Sequence, residues 1–147
     1  AMSKIPTEEP CIFCAIVAGR HEASVVHEDD TVVAFMDRYP VTRGHLLVVP
    51  RMHAAGFEDL DAVTSAQVWS VGHELARALR RSGLQPEGIN MLVCDGEAAF
   101  QSVFHFHLHL IPRYPGDGWT SLTHHAPERE RSLLNADAQL IRDVMEP

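Results

Sequence analysis

The sequence lacks the features by which a chain enters or crosses a membrane. No apolar run comes near the ~18 residues that a membrane-spanning helix needs. The beginning of the chain carries no basic segment followed by an apolar one, as a secretory signal would. We therefore expect a cytoplasmic protein with no membrane partner. Internal repeats and low-complexity segments are also missing, so the 147 residues, 46% of them hydrophobic, predict one domain over residues 1–147.

Positive charge is scarce. The chain has 12 Lys and Arg against 20 Asp and Glu, which gives a formal net charge of −8. Because surfaces that bind nucleic acids are rich in basic residues, this balance argues against a nucleic-acid partner. A single phosphate group remains a possible ligand, since backbone N–H groups, a hydroxyl and imidazoles are enough to hold it.

Cysteine is rare as well. With three cysteines, the chain cannot pair all of them internally. Cys11 and Cys14 form a C-x-x-C motif, and Cys94 stands alone. In a cytosolic protein this spacing indicates metal binding or redox chemistry rather than a structural disulfide.

Short β-rich runs alternate with helical segments. A helical pattern begins at Cys11 and stops near Gly19, and a longer helix begins at a capping box with Thr64 as cap and Gln67 three residues on. Its buried stripe is predicted to be Val68, Val71, Leu75 and Leu79. Strands are predicted at 25–28, 31–36, 45–49, 89–94 and 105–112, and a last helix within 128–145 with Leu133, Leu134, Leu140, Ile141 and Val144 as apolar contacts. The fold class is therefore α+β with an antiparallel sheet.

The most informative stretch is residues 104–110, in which histidines alternate with large apolar residues. His105, His107 and His109 share one parity, and the residues between them are apolar. Because successive side chains of a strand point to opposite faces, the pattern predicts three imidazoles on one face of a strand. It places the large apolar side chains on the opposite, core face: Phe104, Phe106, Leu108 and Leu110. A solvated strand face and a plain His-x-His metal site are the alternatives.

This stretch resembles the signature of the histidine triad (HIT) superfamily of nucleotide hydrolases and transferases. The His-x-His-x-His at 105–109 follows the Gln-Ser-Val of 101–103, and the segments 11–14 and 35–53 resemble other blocks of that family in the expected order. The resemblance covers about residues 10–115 and is greatest to the bacterial Hit branch, similar to the adenosine phosphoramidases. It implies a five-stranded sheet that dimerises into a ten-stranded one, with residues 116–147 as a C-terminal extension.

The resemblance also implies catalytic roles. A neutral imidazole is a good nucleophile near neutral pH, and its attack on a nucleoside α-phosphate gives a covalent intermediate. That role falls on His107, with His109 contacting or positioning the phosphate, His45 orienting the same face and Ser102 bonding the phosphate region. His45 has an alternative as a hydrogen-bonded histidine at the start of a strand.

A purine nucleotide or nucleotide conjugate is the implied ligand. Asp37 would accept hydrogen bonds from ribose hydroxyls, with a turn residue as its alternative. Gln101 would shape the phosphate loop through its backbone. The base pocket would be lined by Ile12, Phe13, Ile16, Phe35 and Leu47, although core packing explains each of these equally well.

Two positions depart from the family pattern. Cys94 stands where Asn is usual, so a hydrogen bond near the substrate is lost or weakened. Phe100 stands where Gly is usual, and Gly alone adopts a positive φ freely. We expect both changes to alter turnover and leaving-group preference while leaving the nucleophile intact.

The resemblance further implies a structural zinc site made by Cys11, Cys14, His53 and His105. Two thiolates and two imidazoles suit a closed tetrahedral zinc that has no position for a reactive water. The site would join the N-terminal helix to the histidine segment. A free dithiol and a redox pair are the alternatives.

The leading hypothesis is a hydrolase that cleaves nucleoside 5′-phosphoramidates or related nucleotidyl conjugates through a nucleotidyl-histidine and releases a nucleoside monophosphate. A nucleotidyl transferase or dinucleoside polyphosphate phosphorylase would share the intermediate and differ in the acceptor. A nucleotide-binding regulatory module with little activity is the alternative of another class. A zinc hydrolase that uses metal-bound water is a further one.

Overall fold

The computed structural model describes residues 11–122 and 125–145. The ends of the predicted domain, residues 1–10 and 146–147, and the pair 123–124 of its extension lie outside the described residues. No helix in the described part of the chain has both the length and the apolar character needed to cross a membrane.

Five strands form one antiparallel sheet in the order β1-β2-β3-β5-β4. The predicted α+β class and the five-stranded antiparallel sheet are therefore confirmed. The elements in chain order are α1 (Ile12–Val17), β1 (Val25–Glu28), β2 (Val32–Met36), β3 (Leu46–Pro50), α2 (Ala62–Arg81), β4 (Gly88–Val93), a short 3-10 turn (Glu97–Ala99), β5 (Leu108–Arg113) and α3 (Arg131–Arg142).

The sheet separates two apolar clusters. The larger one packs α2 and α3 against one face, and its fully buried members include Leu75, Leu79 and Ile141. The smaller one packs α1 against the opposite face through Phe13, Phe35 and other residues of β2 and β3. On the face that α1 shares, Leu92 of β4 and His109 and Ile111 of β5 line a cavity beside the helix.

The first helix begins as its sequence predicts. Cys11 is its N-cap, and the Cys11 sulfur accepts a hydrogen bond from the backbone N–H of Cys14 at 3.3 Å. Gly19 follows the end of the helix with a φ of +77°, which suits glycine. Both thiols of the C-x-x-C motif are thereby held on the first turn of α1.

The predicted start of the long helix is wrong by about one turn. Asp61, not Thr64, is the N-cap, because its carboxylate accepts the backbone N–H of Thr64 at 3.1 Å. Aspartate is as good a cap as threonine, so the Thr–Gln spacing did not decide the start. The predicted buried stripe is confirmed at Val68, Val71, Leu75 and Leu79.

The last helix buries fewer of the predicted contacts than expected. Leu134 and Ile141 are buried, and Leu140 and Val144 pack partly against the core. Leu133 was predicted as an apolar contact but is 44% exposed. The helix is instead anchored by Asp137, a buried carboxylate that accepts hydrogen bonds from Arg43 at 3.0 Å and Arg129 at 2.8 Å.

The histidine segment is only partly a strand. β5 begins at Leu108, and neither His105 nor His107 lies in it. The ladders of β5 with β3 and with β4 both end at Leu108, so the residues before it have no neighbouring strand to pair with. Phe104, predicted to face the core, is 48% exposed, and the N–H of Phe106 donates to Ala54 outside the sheet.

Candidate active site

A row of cross-strand neighbours forms the floor of the site. Phe35 on β2 faces Leu47 on β3, Leu47 faces His109 on β5, and His109 faces Leu92 on β4. Neighbouring strands lie about 4.8 Å apart, so His109 stands between two directions along the sheet. One leads to β3 and β2, which α1 covers, and is called the α1 side; the other leads to β4 and is called the β4 side. The row lies on the face opposite α2.

A cavity of about 970 Å³ opens above this row. It is large enough for a nucleotide and a second group, since ligand cavities usually measure roughly 300–1,000 Å³. All the predicted catalytic and substrate-binding residues line it: His107, His109, His45, Ser102, Asp37, Phe13, Ile16, Phe35, Leu47, Gln101 and Cys94, together with Ile12.

The orientation of His107 is set by one backbone carbonyl. Its Nδ1 lies 2.7 Å from the carbonyl oxygen of His105, and a carbonyl can only accept. Nδ1 therefore carries the proton, and the lone pair of the neutral ring is on Nε2. Burial lowers the pKa of His107, although the His105 carbonyl and Asp37 oppose this. The ring is thus neutral, with a free lone pair on Nε2, and it lies on the wall of the cavity.

His45 and His109 form a directed hydrogen-bond chain. The backbone N–H of Val41 donates to Nδ1 of His45 at 3.1 Å, which leaves the proton of the neutral ring on Nε2. That N–H donates to Nδ1 of His109 at 3.0 Å, so the neutral His109 carries its own proton on Nε2. Burial, with repulsion from the neighbouring imidazoles, lowers the pKa of His45 to about 3 and that of His109 to about 3. Both rings are neutral at pH 7, and His109 offers an N–H donor beside His107.

Asp37 stands at the edge of this chain. Its Oδ1 accepts the backbone N–H of Tyr39 at 2.8 Å, and its Oδ2 lies 3.4 Å from Nε2 of His45. Burial raises the pKa of Asp37, an effect that the Tyr39 N–H and the nearby imidazoles of His109 and His107 oppose. The carboxylate is therefore close to the histidines as well as to the cavity.

The side chain of Gln101 anchors the loop after β4. Its buried amide accepts the N–H of Gly96 at 2.7 Å and donates to the carbonyls of Ala55 and Val103 at 2.7 and 3.1 Å. Gln101, predicted among the substrate-binding residues to shape this loop through its backbone, thus also holds the loop through its side chain. Ser102 next to it is exposed and, among the described residues, its hydroxyl has no hydrogen-bond partner.

The two departures from the family pattern both lie in this part of the cavity. Phe100 has φ +71° and ψ 24°, so the position is left-handed even though a bulky residue occupies it. Cys94 is partly buried, and burial raises the pKa of its thiol.

Several lining residues carry no sequence signal that would have assigned them to the site. Arg38 and Tyr39 follow Asp37, while Trp119, Leu122 and Arg131 come from the C-terminal extension. Arg113 holds Trp119 by a hydrogen bond to its carbonyl at 2.8 Å and by lying 5.1 Å from the ring centroid. Trp119 and Leu122 lie beside Leu92 of β4, whereas Arg131 donates to Ser24 before β1, and neither contact between distant segments is visible in the sequence.

The four predicted metal ligands come together at the start of α1. Their ligand atoms all lie within 4.8 Å of one another. Nδ1 of His105 is 3.5 Å from the sulfur of Cys11 and 3.6 Å from that of Cys14, and Nδ1 of His53 is 3.3 Å from the sulfur of Cys14. Donors bound to one tetrahedral zinc at ~2.0–2.3 Å stand ~3.3–3.8 Å apart, so these spacings fit the ion.

The tautomer of His105 also fits a metal ligand. Its Nε2 donates to the carbonyl of Pro50 at 2.8 Å, which leaves the lone pair of Nδ1 directed toward the sulfurs. Burial and then the adjacent Cys11 raise the pKa of the Cys14 thiol to about 11. A cation between the two sulfurs would favour the thiolates instead.

A second group of potential ligands consists of Asp37, His45 and His109. Here both imidazole Nδ1 lone pairs already accept hydrogen bonds, from Val41 and His45 respectively. We therefore interpret this group as a hydrogen-bond chain and the cysteine-containing group as the candidate metal site.

Comparison with known proteins gives a consistent result. A model of the HIT domain matches residues 18–116. The Hit protein of Bacillus subtilis is 39% identical over 137 residues, covering 91% of this chain and 94% of that protein. An uncharacterized HIT-like protein of Mycobacterium tuberculosis is 42% identical over 108 residues, 74% of each chain.

Two solved structures share the fold. One is a zinc-bound histidine triad family protein from Mycobacterium smegmatis, 41% identical, with a TM-score of 0.79 over 90% of this chain and 91% of that one. The other is a Hit-like protein involved in cell-cycle regulation from Bartonella henselae, 31% identical, with a TM-score of 0.82 over 90% and 94%.

Proposed function

The chain belongs to the histidine triad (HIT) family, and from this premise we propose that it is a nucleotide hydrolase that cleaves nucleoside 5′-phosphoramidates or related nucleotidyl conjugates. The observation that carries the proposal is the pairing of two neutral histidines with opposite proton positions. His107 has a free lone pair on Nε2, and His109 has a proton on Nε2. Displacement at phosphorus needs both, a nucleophile and a donor for the leaving group.

In the first step, Nε2 of His107 attacks the α-phosphorus, and a P–N bond forms between them. The bond from phosphorus to the leaving amine breaks, and its electron pair stays on the amine nitrogen. The Nε2–H of His109 protonates that nitrogen as the amine leaves. The anionic ring of His109 that results is stabilised by the Nε2–H of His45 and by the positive charge on His107, and it is the base of the next step. The positive charge that develops on His107 lies near Asp37, whose charge raises the pKa of His107.

In the second step, a water molecule takes the place of the amine. His109 accepts a proton from the water as its oxygen attacks phosphorus, and the P–N bond to His107 breaks. The electron pair returns to Nε2 of His107, and the nucleoside monophosphate leaves. Both histidines then have their starting proton positions, held by the His105 carbonyl and by His45.

The nucleotide takes the α1 side of the cavity in this proposal. Phe13 lies edge-on to Phe35 at 5.4 Å and to His107 at 5.0 Å, which makes an apolar wall for a purine base. Asp37 would accept hydrogen bonds from the ribose hydroxyls, and the unpartnered hydroxyl of Ser102 would donate to the phosphate.

The cytoplasm, predicted from the sequence, is the proposed location of the protein.

The test is turnover of adenosine 5′-phosphoramidate, with release of AMP and ammonia as the expected result. Repeating the assay with inorganic phosphate separates the runner-up, because a phosphorylase would make ADP in place of AMP. Tight binding of AMP without turnover of any conjugate would favour a nucleotide-binding regulatory module over a hydrolase. The strained Phe100 and the weakly hydrogen-bonding Cys94 would then explain the missing activity.

A structural zinc ion belongs to the same proposal. Cys11, Cys14, His53 and His105 would hold it in a closed site, and it would link α1 to the histidine segment without touching the phosphate. The donor spacings and the His105 tautomer support this, as does the zinc in the related protein from Mycobacterium smegmatis.

We also expect a homodimer whose sheets join into one of ten strands. β4 is an edge of the sheet, and edge strands attract another strand unless they are protected. On α2, Val63 and Trp69 are 73% and 56% exposed, which leaves an apolar surface on the same molecule. Light scattering at micromolar concentration should therefore give twice the chain mass of 16.3 kDa.

A matched pair of variants locates the interface. Trp69→Glu should weaken the dimer at least ~30-fold, the effect of losing a buried aromatic contact. Leu133→Glu places the same charge on an exposed apolar position of α3 and should leave the dimer intact. A wild-type protein that scatters as a monomer would contradict the prediction.

A further inference from the structure

Phe100 combines two unfavourable features. Its backbone is left-handed, which a bulky side chain resists, and its side chain is 54% exposed. Such a residue persists when the surrounding structure holds it and when its position serves a function. Phe100 also lines the active-site cavity, so the strained aromatic side chain lies at the mouth of the catalytic site.

Hydrogen bonds of the loop hold the backbone at Phe100 in place. The N–H of Phe100 donates to the carbonyl of Glu97 at 3.0 Å, and the N–H of Gln101 donates to that of Gly96 at 3.1 Å. The buried Gln101 amide ties the same loop to Ala55. Because the backbone on both sides of Phe100 is hydrogen-bonded, the ring projects from a held backbone position on the wall of the cavity.

The register of the sheet assigns this wall to one side of the histidines. Leu92 on β4 lies beyond His109, away from Phe35 and Leu47, and the loop that carries Phe100 continues from β4. Since the nucleotide takes the α1 side, the group that leaves during the reaction lies on the β4 side. Its neighbours there are apolar: Leu92, Ile111, Trp119 and Leu122.

Among the described residues, no unpaired arginine or lysine lies on this side of the cavity. Of the described residues that line the cavity, two are arginines, and each is paired with a carboxylate. Arg38 lies 2.7 Å from Glu128, and Arg131 lies 3.6 Å from Glu22. Near Trp119, Arg113 is held by both oxygens of Asp117 at 2.9 Å. A chain of phosphates needs cationic partners, so a polyphosphate leaving group would be poorly held.

We propose that Phe100 is a specificity-determining residue of an apolar leaving-group subsite, which selects nucleoside phosphoramidates whose amine carries an aromatic or aliphatic body over dinucleoside polyphosphates. The inference rests on the proposed function and names the substrate class within it. The ring of Phe100 covers the apolar part of the amine and removes it from water, while Trp119 bounds the subsite from the C-terminal extension.

The experiment compares three adenosine conjugates on the full-length protein: the unsubstituted 5′-phosphoramidate, its N-phenethyl derivative and diadenosine tetraphosphate. The wild type is expected to have its highest kcat/KM for the phenethyl compound and its lowest for the tetraphosphate. Phe100→Gly should lower the ratio of kcat/KM for the phenethyl compound to that for the unsubstituted one at least ~10-fold, mainly through KM, as expected for loss of an apolar wall.

Gln85→Gly is the matched control, because Gln85 is the other described non-glycine residue with a positive φ, +54°, and it does not line the cavity. Both glycine variants should melt ~1–4 °C higher as the strained φ is relieved, but only the Phe100 variant should change the substrate ratio. Phe100→Asn keeps a residue that tolerates the left-handed region and removes the ring, so it should lose selectivity as well.

An unchanged ratio in both Phe100 variants, with the wild type turning over the unsubstituted phosphoramidate, would overturn this inference and leave the proposed function standing. A preference of the wild type for the tetraphosphate would also overturn it. If the wild type turns over no conjugate at all, the proposed function fails, and this inference fails with it.

Discussion

His107→Ala is expected to lower kcat for adenosine 5′-phosphoramidate by ~10⁴-fold or more, to the limit of detection. The variant has no nitrogen to form the covalent intermediate, and losing a nucleophile that acts as part of a unit usually removes most of the catalysis. AMP should still bind within about tenfold of the wild-type affinity, because Asp37 and the apolar wall of Phe13 and Phe35 are unchanged.

Three measurements separate a chemical role of His107 from a structural one. Rapid quenching of the wild type in base should trap a nucleotidylated protein, because the bond from phosphorus to imidazole nitrogen is stable in base and labile in acid, and the variant should show none. The melting temperature of the variant should stay close to that of the wild type, which would exclude unfolding. His27→Ala removes a histidine that pairs with Asp29 outside the cavity, so its turnover should be unchanged. Substantial turnover by His107→Ala would refute the mechanism.

The second large effect is expected on stability. The purified protein should contain about one zinc per chain, and Cys14→Ser should lose the metal and melt ~5–15 °C lower. A ligand present at 100 to 1,000 times its dissociation constant stabilises the folded state by ~3–4 kcal/mol, and each kcal/mol corresponds to ~2–4 °C for a chain of this size. The expected loss is large because a zinc ion held by these four residues would join α1 to residues distant in the chain, His53 and His105.

Cys94→Ser makes the same chemical change outside the cluster. It should retain the metal. Loss of zinc from Cys14→Ser would then be due to the change in the Cys11–Cys14 motif and not to cysteine replacement in general. Elemental analysis and thermal melting give the result without reference to activity. Zinc-free wild type, purified without chelators, would contradict the assignment. Thiol titration of that protein would then show whether Cys11 and Cys14 are a free dithiol or a disulfide.

His105 connects the cysteine-containing group with the histidines of the cavity. Its ring donates to Pro50 and faces the two sulfurs, while its carbonyl accepts the Nδ1 proton of His107. The sequence assigned both roles to one stretch through the resemblance, but it predicted a continuous strand for 105–112. A strand would have pointed His105, His107 and His109 to one face. The bend before Leu108 instead turns His105 toward α1, and His109 stays in the sheet.

Hydrogen-bond direction is another feature that no residue pattern predicts. His45 was expected to act on the same face as His107 and His109. Its proton position depends on the backbone N–H of Val41, and the proton position of His109 depends in turn on His45. Neither contact follows from the residue types involved.

The sequence by itself determined the family, the five-stranded antiparallel sheet and the residues that meet in the cavity. That information is local, because it lies in characteristic residue types that recur at short spacings. His-x-His-x-His and C-x-x-C are such local patterns. Only the tertiary structure decided which side of the histidines each wall lies on, and that the C-terminal extension with Trp119 reaches the cavity. It also decided that Phe100 is held in a left-handed backbone at its mouth. These features depend on strand register and on contacts between distant segments, and a linear chain does not encode either in any local pattern.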